Sequence, residues 1–193
     1  QQDRERCRQA GIPEEVVYRP KWQIALDQYR RAVANSVRFA WLTFDEGYGS
    51  KVPFLQALEG LGQTYVAEVP ASFPVWTKRP TVLYRATARD RNGGRPRRYP
   101  RLKVKNNPKV EVRNVLAYSP LLRKIPWQTY HVKDGVKGPL VWQAKRLRVY
   151  LPNEQGLPTH AYHLVVARNA LDHEEVKYFL SNAPESTPVE VLP

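Results

Sequence analysis

The sequence predicts an α/β fold carrying a β-rich, strongly basic insertion, and three observations predict it. An apolar stretch, a stretch of helical period and a second strand-like stretch follow one another over residues 39–69. Residues 71–168 then break into short alternating segments divided by proline and glycine. The positive charge gathers in that same part. Residues 78–148 hold 20 of the 31 Lys and Arg but three of the 18 acids, a net of +17 in a chain whose total is +13.

The first periodic element is "PKWQIALDQYRRAVANS". Trp22, Leu26, Tyr29 and Val33 recur at helical spacing. Pro20 stands at the start, where a missing N–H is harmless, and Asn35 and Ser36 close the helix. Residues 1–19 before it are charged and show no clear period. "FAWLTF", residues 39–44, is almost continuously apolar, as in a strand covered on both faces of a parallel sheet. "PFLQALEGLG" predicts a second helix, with Ser50 as its cap, Pro53 in its first turn and Phe54, Leu58 and Leu61 on its inner face. Gly62 is placed to end it in the left-handed conformation. "TYVAEV", residues 64–69, is the next strand, and the three elements make a βαβ unit with a right-handed crossover.

Beyond Pro70, "SFPVWTKRP" reads as a linker. "TVLYRATAR", "VEVRNVLAY", "WQTYHV", "LRVYL" and "YHLVVA" read as strands, and "KDGVKGPL" has hairpin chemistry. The end, "LDHEEVKYFLSNAP", predicts a helix capped by Asp172 with Glu175 three residues on. Leu171 and Val176 would staple it, and Pro184 would terminate it. The domain reading is therefore 1–70 as core, 71–168 as insertion and 169–193 as a helix returning to the core.

With 193 residues, 42% of them hydrophobic, the chain can bury a real core. No run of 18 apolar residues spans a membrane, and no signal-peptide pattern opens the chain. The sequence starts at Gln1 and contains no methionine, so it reads as a piece of a longer protein. Cys7 alone cannot form an internal disulfide or a cysteine zinc site, which points to a reducing, cytoplasmic setting. Concentrated positive charge repels itself, and a polyanion relieves that repulsion; nucleic acid is the commonest such partner. A merely solubilising surface is the plainer alternative.

The chemistry centres on "WLTFDEGYGS". Asp45 falls just past the carboxyl end of the predicted strand, where ligands gather in α/β sheets, yet an Asp there is equally a helix cap or turn former. Three readings compete. "TFDEGYGS" is similar to the first motif of polysaccharide deacetylases, but Glu46 stands where that motif has a second Asp. The pair His160 and His163, three apart beside a predicted strand, would also face opposite ways. A second reading is metal-dependent cutting and joining of DNA, in which carboxylates hold metal ions against the attacking and leaving oxygens of a phosphodiester. A third has no catalysis: a basic β-rich module that binds RNA or DNA, with Asp45 as a loop cap.

The stretches "RQAGIPEEVVYRPKWQIAL", "FAWLTFDEGYG", "FLQALEGLGQTYVAEVP", "VKGPL" with "KRLRVY", and "LDHEEVKYFLSNAPESTP" run in order from Arg8 to Pro188. By these the chain resembles DDE-type transposases of bacterial insertion sequences. The resemblance implies a ribonuclease H-like core, here partial, in which two aspartates and a glutamate bind catalytic Mg²⁺ or Mn²⁺. Asp45 matches the middle aspartate, as catalytic residue and metal ligand, and Glu46 is not one of the three. The other two acids fall outside these 193 residues: Asp3, Glu185 and Glu190 stand in the wrong context. Such a piece alone should bind metal weakly and cut nothing.

The resemblance also implies DNA as partner, at transposon ends and targets, a homodimer on that DNA, and a cytoplasmic, nucleoid-associated location without membrane attachment. The favoured DNA contacts are Arg95, Arg97, Arg98, Arg101, Lys103, Lys105, Lys137, Arg146 and Arg148. Arg146, Arg148 and Tyr150 share one face of a strand, with Leu147, Val149 and Leu151 on the other. Tyr99 and Trp76 are candidates to stack on a base or sugar.

Overall fold

A computed structural model describes residues 4–13, 15–84, 99–135 and 138–188. The chain divides into two compact units, residues 1–38 and 39–193.

In the first unit, α1 (Arg4–Gln9) forms where the sequence showed no period. α2 (Lys21–Ala34) follows Pro20, as its spacing predicts. Leu26 is its buried residue, flanked on the same face by the half-buried Trp22, Tyr29 and Val33. Asp27 accepts from Arg19 and from Arg30, but all three are substantially exposed. Exposed ion pairs contribute about 0–1 kcal/mol, so the apolar face, worth about 1.5–3 kcal/mol per fully buried side chain, dominates. Asn35 and Ser36 end the helix through bonds back to Arg31 and Val33, and Ser36 takes a φ of 64°.

The second unit opens with β1 (Leu42–Phe44), α3 (Glu46–Gly49), α4 (Val52–Gly60) and β2 (Tyr65–Val69). β1 and β2 are parallel, with Leu42 opposite Tyr65 and Phe44 opposite Ala67, which completes the expected βαβ unit. β1 is shorter than the apolar run and lies at the edge of its sheet, with Thr43 exposed. The expected burial on both faces belongs instead to β2, where four of five residues are buried. α4 buries Phe54, Leu55 and Leu58. Leu61, expected on that face, is exposed beyond the last turn, and Gly62 takes the left-handed φ of 73°. Lys51, not Ser50, precedes α4; Ser50 instead closes α3.

Next come β3 (Pro74–Val75), β4 (Val82–Leu83), β5 (Arg101–Leu102), β6 (Val110–Glu111), α5 (Val112–Tyr118) and α6 (Pro120–Lys124). The segment read as a linker is buried structure: Phe73, Val75 and Trp76 are each under 5% exposed. Trp76 exchanges two backbone hydrogen bonds of 2.9 Å with Tyr150. The expected strand 110–118 is mostly helix, because Val112 and Val115, three apart, are its buried residues. α6 starts with Ser119 accepting from the Leu122 N–H, 3.5 Å.

The remaining strands are long: β7 (Gln128–Gly135), β8 (Gly138–Pro152), β9 (Pro158–Asn169) and β10 (Val176–Ser181). β7 and β8 form the expected hairpin, closed by Gly135 opposite Gly138. All join one six-stranded sheet in the order β1-β2-β10-β9-β8-β7, antiparallel except for β1 and β2. The fold is thus α/β with a mixed, mostly antiparallel sheet. The helix expected at 172–183 is a turn followed by β10. Asp172 does cap, accepting from Glu174 at 3.1 Å, but what it caps is a turn. Leu171, at 90% exposure, staples nothing. The alternation in "VKYFLS" prevails, since it buries Tyr178 and Leu180 while both strand edges pair.

Gly49 fixes α3 against the sheet. A Cβ there would stand 1.9 Å from the Glu68 carbonyl oxygen, whereas one at Gly60 would meet nothing within 4 Å. Gly49→Ala should therefore destabilise the protein by about 3 kcal/mol, the cost of overpacking against backbone. Gly60→Ala should be neutral or stabilising by up to about 1 kcal/mol. Urea unfolding midpoints for the two variants check the contrast.

Candidate nucleic-acid interface and acidic turn

Asp45 sits immediately after β1 and is the N-cap of α3, its Oδ1 accepting from the Gly47 N–H at 3.0 Å. It is also exposed. The two readings of this residue are therefore compatible: one oxygen orders the turn, and the carboxylate still meets solvent. Tyr48 packs on Phe54 (5.8 Å) and Phe54 on Phe44 (5.2 Å), which seats the turn on α4 and β1. Glu46, in the first turn of α3, is exposed as well.

Mg²⁺ needs only one or two protein carboxylates besides water and substrate oxygens. Asp45 suits one such place: short, exposed, and anchored to rigid backbone. Among the described residues no three His, Cys, Asp or Glu gather as a metal-binding group. Asp45 alone supplies one carboxylate of the one or two that Mg²⁺ takes from a protein.

The histidines have other work. His160 and His163 lie on opposite faces of β9, as expected. His160 Nδ1 is 2.9 Å from Glu59 Oε1, and its ring packs on Tyr162 (4.3 Å). Tyr162 donates to the other Glu59 oxygen at 2.5 Å, and these bonds draw the Glu59 pKa down against the opposing effect of burial, the larger single influence. His163 is fully buried, 2.9 Å from the Pro184 carbonyl. The two cannot share a metal, and the deacetylase likeness ends there.

Of the expected DNA contacts, Arg95, Arg97, Arg98 and Lys137 lie outside the described residues, as do Asp3 and Glu190. Arg101, Lys103 and Lys105 are exposed and line a recess of about 440 Å³ with Gln155, Gly156 and Leu157. Arg146, Arg148 and Tyr150 line another, of about 580 Å³, with Glu185 also in its wall. Arg146 Nη1 donates to the Thr187 carbonyl at 2.5 Å, and Arg148 Nη2 to that of Ala161 at 2.6 Å. Arg148 Nε and Nη1 are buried and make no hydrogen bond. Burial lowers the Arg148 pKa from its usual value, and Glu185 partly offsets that. Not every cation of the basic segment faces a recess: Lys145 and Arg168 both lie over the Trp127 ring, at 4.8 and 4.1 Å.

Sequence reasoning missed two residues of the larger recess, Lys78 and Arg79. Their signal was the paired charge in "TKRP" beside a strand-forming Trp, passed over because the segment read as a linker. Trp76 is no stacking platform, since it is 3% exposed and donates Nε1–H to the Asn107 carbonyl at 3.2 Å. Tyr99, 83% exposed, is free of such enclosure.

A family model described as DDE superfamily endonuclease matches residues 1–139. The chain belongs to that family. The family places the chain among nucleases that act on DNA, in keeping with the resemblance to DDE-type transposases, and such enzymes generally use divalent metals. No curated protein matches it. Among the described residues no helix is long and apolar enough to cross a membrane.

His163 generates a pH prediction. Burial lowers its pKa; the Arg148 and Arg146 charges add to that, while the Pro184 and Ala183 carbonyls oppose it. The Pro184 carbonyl can only accept, so Nε2 carries the proton and the buried Nδ1, which has no partner, does not. The unfolded chain takes a proton near pH 6.5, before the folded one does. Stability should therefore fall as pH drops from about 6.5 toward the lower folded pKa. Urea midpoints between pH 8 and 5 should show this decline, and it should be shallower in His163→Gln.

Proposed function

We propose that this chain is part of a DDE transposase that cuts DNA at transposon ends and joins it to a target. One observation carries the proposal: in a member of the DDE endonuclease family, an exposed Asp45 follows a strand at the carboxyl end, on a turn fixed by Gly49. In this reading β1, β2 and the helices between them belong to a partial ribonuclease H-like core. Residues 71–168 are its basic insertion, and Asp45 is one of three acids that bind Mg²⁺ or Mn²⁺. The metals, when bound, polarise the scissile phosphodiester and lower the pKa of the attacking hydroxyl. The chain's own part is to hold one carboxylate still and to hold DNA.

The outer edge of β1 supports the reading. Among the described residues no strand pairs with it, and in this reading a further core strand pairs there and brings a second acid next to Asp45. Arg95, Arg97, Arg98, Arg101, Lys103, Lys105, Lys137, Arg146 and Arg148 are the proposed contacts to DNA. Water and then a DNA 3′-hydroxyl are the nucleophiles of cleavage and transfer. The reading includes a homodimer assembled on DNA in a bacterial nucleoid.

Asp45→Asn separates the roles of this residue. Asn caps a helix about as well as Asp, so folding and DNA binding should persist. In the complete transposase, strand cleavage should fall by at least 1,000-fold. Cleavage assays on a labelled transposon-end duplex, run beside a binding assay, check this; cleavage near the wild-type rate would remove Asp45 from the metal site.

A further inference from the structure

The two groups of cations that the sequence marks, around Arg101–Lys105 and around Arg146–Arg148, are 40 residues apart in the chain. The fold connects them. Lys78 and Arg79, which line the recess of Arg146 and Arg148, also line a smaller recess of about 190 Å³ together with Lys103. Lys103 in turn lines the recess of Arg101 and Lys105. Adjacent recesses share walls, and the shared walls, Lys78, Arg79 and Lys103, are all cationic.

Backbone pairing produces this arrangement. The two hydrogen bonds between Trp76 and Tyr150 hold the start of "TKRP" beside β8. A few residues on, β4 pairs with β5, Val82 opposite Leu102, and Lys103 N–H donates to the Thr81 carbonyl at 2.8 Å. The segment 76–83 therefore runs from one cationic group to the other, with its own two cations between them. Against these seven positive side chains, Glu185 is the acid in the lining. Such a row is costly in self-repulsion unless a polyanion lies along it.

We propose that the three recesses form one groove seating consecutive phosphates of a single nucleic-acid strand, with Lys78 and Arg79 as the link. This rests on the reading of the chain as DNA-acting and adds the path and the two linking residues. Tyr150 is the aromatic residue of the lining, and its seven cations outnumber the amide side chains, Asn107 and Gln155. The groove sets position along the backbone rather than sequence.

Binding of a fluorescent duplex of about 20 base pairs, and of an oligodeoxythymidylate of the same length, across a NaCl series tests this. Lys78 and Arg79 are exposed, so Lys78→Ala/Arg79→Ala should fold normally. It should weaken binding at least tenfold at low salt and lower the slope of log K against log salt by about 1.8, or 0.9 per lost phosphate contact on duplex. Arg31→Ala/Lys133→Ala, with the same charge change outside the groove, should do much less. Glu185→Gln should tighten binding several-fold.

Equal losses in the two double variants would overturn the groove. So would displacement of the DNA by inorganic phosphate well beyond chloride at equal ionic strength, which marks an isolated anion pocket. Duplex binding that ignores Lys78 and Arg79 sinks the groove and leaves the transposase reading intact. Binding of the single strand alone, dependent on both residues, keeps the groove and removes the transposase reading.

Discussion

β10 is hydrogen-bonded on both edges, to β2 on one side and β9 on the other, and the second unit depends on that double pairing. Without β10 the βαβ part and the long antiparallel ribbon would share no ladder. Tyr178 and Leu180 are buried along it, and Ser181 is 1% exposed at its end. Just beyond, Asn182 accepts from the Tyr65 N–H at 2.9 Å and donates to the Gln63 carbonyl at 2.9 Å. That side chain completes the pairing of β2 where the strand runs out. Losing a fully buried Leu side chain from such a position costs about 2–5 kcal/mol, far more than any of the exposed ion pairs contributes.

The acidic turn and the cations of the recesses stand on different elements. The acidic turn belongs to β1, at one end of the strand order. The cations of the recesses belong to β8, to β5 and the residues just after it, and to the segment before β4, the last three outside the six-stranded sheet. Some of the remaining positive charge is tied into packing, as where Lys145 also donates to the Leu122 carbonyl at 3.2 Å. Among the described residues the cations thus differ in how far packing holds them, and formal charge alone does not show which.

Much of this was legible in the residues. The βαβ unit, the α2 face, the hairpin at Gly135 and Gly138, and the position of Asp45 follow from local period and turn chemistry. What was not legible depended on partners distant in sequence. "VKYFLS" after a good cap suits a helix until β2 and β9 offer edges to both its sides. "VEVRNVLAY" contains both periods, and burial of Val112 and Val115 chose the helical one. "SFPVWTKRP" has a linker's composition, and only its pairing with Tyr150 makes it core. That last error hid Lys78 and Arg79, because charges in a linker carry no position.

The close approach of Gly49 to the Glu68 carbonyl has a consequence for how Asp45 can move. The turn has no slack between itself and β2, so the carboxylate travels with the sheet and not as a loop tip. A shift of the Glu68 backbone would therefore reach the turn that carries the acid directly.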